Sequence, residues 1–72
     1  MAELKVKVIK PCGVLSTGAY IKELNLVKWG KHPEVYDIRG WSPDHKECTK
    51  GVTLTKDELL KLKDILNTMT IE

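Results

Sequence analysis

Tyr20-Ile-Lys-Glu-Leu-Asn-Leu-Val-Lys-Trp29, Gly30-Lys-His-Pro33 and Glu34-Val-Tyr-Asp-Ile-Arg-Gly-Trp41 follow one another without a break, and they decide the fold. The first and third segments alternate in type with period two, as strands do. In 20–29, Leu24 and Leu26 share one face, and Asn25, Val27 and Trp29 share the other. In 34–41, Tyr36 and Ile38 share a face, opposite Val35, Asp37, Arg39 and Trp41. The glycine- and proline-bearing segment between them is a loop. Two strands joined so tightly pair antiparallel.

Toward the N-terminus, Leu4-Lys-Val-Lys-Val-Ile9 alternates in the same way. Leu4, Val6 and Val8 point one way and Lys5 and Lys7 the other. Pro11 and Gly13 interrupt this strand, and Val14 and Leu15 extend it past a bend or bulge. Ser16-Thr-Gly18 is turn chemistry. Toward the C-terminus, Ser42 to Thr49 is a polar loop and Gly51-Val-Thr-Leu54 a short fourth strand. Thr55-Lys-Asp-Glu58 is a capping box that opens a helix running to about Asn67. Leu59, Leu62, Leu66 and Met69 form its apolar stripe, widened by Leu60 and Ile65. The expected fold is α+β: a four-stranded antiparallel sheet followed by one C-terminal helix that covers the Leu24, Leu26, Tyr36, Ile38 face.

Seventy-two residues, 42% hydrophobic and with four aromatics, read as one domain, 1–72, with a marginal core. Two cysteines allow one bridge at most. With no signal peptide read at the N-terminus, Cys12 and Cys48 are expected as free thiols in a cytoplasmic protein, nucleoid-associated if bacterial. No apolar run is long enough for a membrane span. The net charge of +2 divides unevenly. Residues 1–54 carry nine basic and six acidic side chains; residues 55–72 carry three and four. The basic excess lies on the sheet.

One helix covers one sheet face. The other then presents Trp29, Arg39 and Trp41 to solvent, bordered by lysines. Most tryptophans in domains of this size are core or interface residues. Yet aromatic platforms interleaved with cations are what a single-stranded nucleic acid requires. Each stacked base contributes about 1–3 kcal/mol, and Lys or Arg neutralises phosphate with release of counterions. A duplex hides its base faces.

These residues carry a resemblance. Lys22-Glu-Leu-Asn-Leu-Val-Lys-Trp-Gly30, Tyr36-Asp-Ile-Arg39, Trp41-Ser-Pro-Asp-His45 and Lys50-Gly-Val-Thr-Leu-Thr55 together resemble the C-terminal domain of the transcriptional coactivator positive cofactor four, in particular its short bacterial YdbC-like branch. The resemblance spans nearly the whole chain. It implies a curved ββββα domain assembled as a homodimer, binding single-stranded DNA, and also RNA, with little sequence preference. It places Trp29 and Trp41 at base-stacking positions and Arg39 and Lys50 at backbone contacts, with Lys28 and Lys31 matching more loosely. The regulatory N-terminal region of the eukaryotic members is not found in this sequence, so a coactivator role that depends on it is not carried over, and the expected setting is transcription and its regulation, replication or repair.

Other constellations are weaker. His45 and Cys48 form a single close pair among Cys12, His32 and Asp44, where zinc needs four ligands. No phosphate loop or paired carboxylates support an enzyme, and no cofactor or metal is expected. Ser42-Pro-Asp-His45 reads as a turn, with His45 and Lys46 near a phosphate as its functional alternative. The expected nucleic-acid contacts are Lys22, Asn25, Lys28, Trp29, Lys31, Arg39, Trp41, Lys46 and Lys50. The expected dimer contacts are Leu59, Leu62, Ile65, Leu66 and Met69, because the stripe is wider than one sheet face needs. The competing expectation is a protein–protein adaptor that uses Trp29 and Trp41 as anchors.

Overall fold

The computed structural model describes residues 6–71. They form β1 (Val6–Ser16), β2 (Ile21–Trp29), β3 (Val35–Trp41), β4 (Val52–Leu54) and α1 (Lys56–Thr68). The four strands make one sheet in the order β1-β2-β3-β4, each antiparallel to its neighbour. Leu4 and Lys5 lie outside the described residues.

β1 runs for 11 residues through Pro11 and Gly13, as the sequence suggests, and pays for that length in register. Its pairing with β2 slips between Val8 and Lys10, between Pro11 and Gly13, and between Val14 and Ser16. Each slip is an extra residue that bends the strand and increases its twist. Pro11 has no N–H to give to a ladder, and β1 is an edge strand, where such a residue is tolerated. β2 and β3 pair without a slip from Ile21↔Trp41 to Val27↔Val35. Between them, Gly30 takes φ 53°, and His32 N donates to the Trp29 carbonyl at 2.8 Å.

β4 is short and lies close against β3. A Cβ on Gly51 would overlap the Ile38 carbonyl oxygen and Arg39 Cβ, so only glycine fits there. α1 starts at the capping box read from the sequence. Glu58 N donates to Thr55 Oγ1 at 3.2 Å, and Thr55 N donates to Glu58 Oε1 at 2.8 Å. Asp57 and Glu58 sit at the positive end of the helix dipole.

The core is not where the strand pattern places it. Leu24, Leu26, Tyr36 and Ile38, expected beneath the helix, are only half-buried, and no helix residue is buried. Among the described residues the buried side chains are Val27, Trp41, Asn25 and Asp37, all on the opposite face. The physical reason is curvature. A bulged edge strand curls the sheet, so side chains on the inner face crowd one another. The 42–49 loop then turns back beside β3, with a bridge between Trp41 and Cys48. Meanwhile α1 leans on β3 and β4 only. It leaves a groove of about 680 Å³ whose apolar wall includes Leu15, Leu24, Ile38, Leu59, Leu60 and Leu66. The radius of gyration is 13.2 Å, against about 11 Å for a compact domain of this length.

Candidate nucleic-acid interface

The face away from α1 is built from same-side neighbours two residues apart. On β3, Arg39 Nε donates to both carboxylate oxygens of Asp37, at 2.8 and 3.0 Å, and its Nη2 lies 2.7 Å from Oδ2. Asp37 is fully buried. Burial alone would lower the Arg39 pKa. The hydrogen bonds and charge of Asp37 outweigh it, and the guanidinium is held more firmly protonated than usual. The same guanidinium lies over the Trp29 ring, with Cζ 4.8 Å from the centroid, a cation–π contact. Its Nη1 reaches the Thr49 carbonyl at 3.4 Å and the Cys48 sulfur at 3.9 Å.

On β2, Asn25 Nδ2 donates to Glu23 Oε1 at 2.9 Å, and His45 Nε2 lies 3.0 Å from Glu23 Oε2. Burial acts to raise the Glu23 carboxyl, but these two hydrogen bonds prevail and hold it below its ordinary value. The His45 ring is stacked on Trp41, with centroids 4.5 Å apart and planes 7° from parallel. His45 adopts φ 61°, in the left-handed region that non-glycine residues seldom enter.

The loop holding His45 is pinned from within. Ser42 Oγ donates to Asp44 Oδ1 at 2.7 Å, and Lys46 N donates to the same oxygen at 3.0 Å. Glu47 N donates to Ser42 Oγ at 3.0 Å, and Ser42 N to the Glu47 carbonyl at 2.9 Å. The turn expected for Ser42-Pro-Asp-His45 is present, with Asp44 bonded to its local backbone. Those bonds lower the Asp44 pKa.

The expected site residues therefore fall into three groups. Trp29, Arg39, Trp41 and Asn25 share one face, but none is a free platform or cation. Trp41 is only 2% exposed and Asn25 1%, so the expectation that both tryptophans lie outside the core is corrected: Trp41 belongs to it. Arg39 is neutralised by Asp37, and Trp29, half-buried, has the guanidinium on its ring. Lys31, Lys46 and Lys50 are exposed in loops at the ends of the strands. Lys22 and Lys28 pair across the sheet with Gly40 and Lys7, and strand alternation puts both on the helix side, away from the tryptophans. Two groups that the sequence does not advertise are central: Glu23, and His45 as a ring rather than an edge cation. The signal for the first was available, because Glu23 precedes Asn25 by two residues on one strand face.

Of the expected dimer residues, Leu59 and Leu62 are half-buried against the chain's own sheet. Ile65, Leu66 and Met69 are 56%, 49% and 48% exposed, with Leu60 beside them at 49%. Cys12 and Cys48 are free thiols. Among the described residues no three His, Cys, Asp or Glu side chains cluster as a metal site, and no helix is long and apolar enough to cross a membrane.

An uncharacterized protein of Treponema pallidum (strain Nichols) is 44% identical over 68 residues, an overlap of 92% of this chain and 80% of that protein. The chain belongs to that protein's family. Identity at this level across nearly the whole chain means that the relative shares this chain's fold. No protein-family model matches the chain.

Proposed function

We propose that the protein binds single-stranded nucleic acid, DNA and also RNA, as a homodimer without catalytic activity. The observation that carries this is the sheet face opposite α1. It holds the Trp29 indole beneath the Arg39 guanidinium and the Trp41 indole beneath the His45 ring, covers that a base displaces in order to stack, flanked by the exposed loop lysines Lys31, Lys46 and Lys50. Base stacking on such rings needs no sequence readout, and the lysines supply the phosphate contacts. The resemblance to the positive cofactor four domain supports the same assignment.

Self-association is the second half of the proposal. The helix–sheet groove and the exposed Leu60, Ile65, Leu66 and Met69 leave one side of a small domain apolar. A monomer seldom exposes so continuous an apolar surface. A second copy, docking around a two-fold axis, covers it and places two nucleic-acid faces on one particle. One strand then engages both at high effective concentration.

The test is a gel-shift comparison of an oligothymidylate, the corresponding RNA and a duplex of equal length. The proposal expects the single strands to shift at concentrations where the duplex does not. Equal binding of duplex and single strand would refute base stacking as its basis.

A further inference from the structure

His45 does what a nucleobase would do. Its ring is planar, stacked within 7° on Trp41, and its Nε2 lies 3.0 Å from Glu23 Oε2. A carboxylate only accepts, so Nε2 carries the hydrogen. We propose that Trp41 and Glu23 form a base-recognition subsite that His45 occupies in the free protein, and that an incoming base displaces it. The base takes the imidazole's place on Trp41 and gives its own ring N–H to Glu23. The inference rests on the single-strand binding proposed above.

Three observations support displacement. The side chain of His45 is 41% exposed, so the ring is open to competition from solvent, whereas Trp41 beneath it is not. His45 sits at φ 61° in the exposed 42–49 turn and not on the sheet, so its side chain swings out without disturbing the strands that carry Trp41 and Glu23. A groove of about 450 Å³ beside the ring, between Glu23, Asn25 and the Val8–Val14 stretch of β1, gives the side chain and the base room to exchange.

The chemistry of the ligand follows from Glu23. A half-buried carboxylate repels phosphate and accepts hydrogen bonds, so this part of the face meets a base edge and not the backbone. Asn25 already occupies Oε1, and the exchange frees Oε2. Thymine and uracil offer one ring N–H there, and guanine offers a ring N–H beside an amino group. Glu23 thus adds an edge requirement to stacking that by itself tolerates any base.

Two comparisons test this by tryptophan fluorescence. The first titrates oligothymidylate into the wild-type protein and into His45→Gly, a change that suits the left-handed backbone and preserves the turn. Removing the competitor tightens binding by about two- to tenfold, the range spanned by one aromatic stack. Equal or weaker binding by the variant overturns the displacement proposal. The second uses an oligonucleotide of N3-methylthymidine, which stacks but has no ring N–H. It binds the wild-type protein about tenfold more weakly or worse, and the two oligonucleotides bind Glu23→Ala alike. No difference in the wild type, or an undiminished difference in Glu23→Ala, overturns the Glu23 contact. If the wild-type protein binds neither oligonucleotide, the single-strand reading itself falls and takes the subsite with it.

Discussion

At the scale of single residues, the sheet face is organised by side-chain pairs two positions apart, Asp37 with Arg39 and Glu23 with Asn25. Asp37 is fully buried and depends on Arg39 for its compensation. Arg39→Ala leaves that carboxylate without a partner in a place water does not reach. The expected cost is about 3–5 kcal/mol, the usual loss when one half of a buried pair is removed, measured by urea denaturation. A loss under about 1 kcal/mol would mean that water reaches Asp37 once Arg39 is gone. Arg39 was legible as a cation on the right strand and the right face. Its fate was not, because the sequence pattern shows that Asp37 shares its side of β3 but not that Asp37 is buried there and holds the guanidinium. Glu23 and Asp44 make a separate prediction. Both carboxyls are held below their ordinary values by hydrogen bonds, so their stabilisation is present above the ordinary carboxylate range. It is lost as pH falls through the lowered folded-state values. Melting temperature should drop in that acid window, and the drop should shrink in Glu23→Gln. Identical pH profiles for the two proteins would remove Glu23 from this account.

At the scale of elements, the strands and the helix were readable because each carries a local physical signal. Period-two alternation fixes β2 and β3, and Thr55 with Glu58 fixes the start of α1. Thr55→Ala removes one side chain of the capping box, and the expected loss is about 1 kcal/mol by denaturant titration. Gly51 is less obvious from sequence. Its role depends on the approach of β4 to the Ile38 and Arg39 backbone, which no periodicity encodes. Gly51→Ala forces β4 away from β3, with an expected cost of about 1–3 kcal/mol. A neutral substitution would show that this seam is loose. The side of the sheet that holds the core was illegible for a related reason. Alternation sorts residues into two faces but does not say which one the curvature closes. Three slips in β1 and a polar loop that folds back beside β3 decide it.

At the scale of the whole molecule, a radius of gyration of 13.2 Å goes with an open apolar helix–sheet groove, the surface that the proposed self-association would cover. Leu66→Asp places a charge in the middle of that apolar surface. In sedimentation equilibrium the wild-type protein is expected at twice the chain mass and the variant at the chain mass; a wild-type monomer at high concentration would refute self-association. Nucleic-acid binding is tested most directly by its salt dependence. Oligothymidylate is titrated against intrinsic tryptophan fluorescence across a series of salt concentrations. With Lys31, Lys46 and Lys50 each neutralising one phosphate, the logarithm of the association constant should fall with the logarithm of salt with a slope of about −2 per protomer, or about −4 for a dimer binding one strand. Fluorescence quenching with that slope is the predicted result. Unchanged fluorescence at saturating oligonucleotide, or an affinity indifferent to salt, would contradict the central claim.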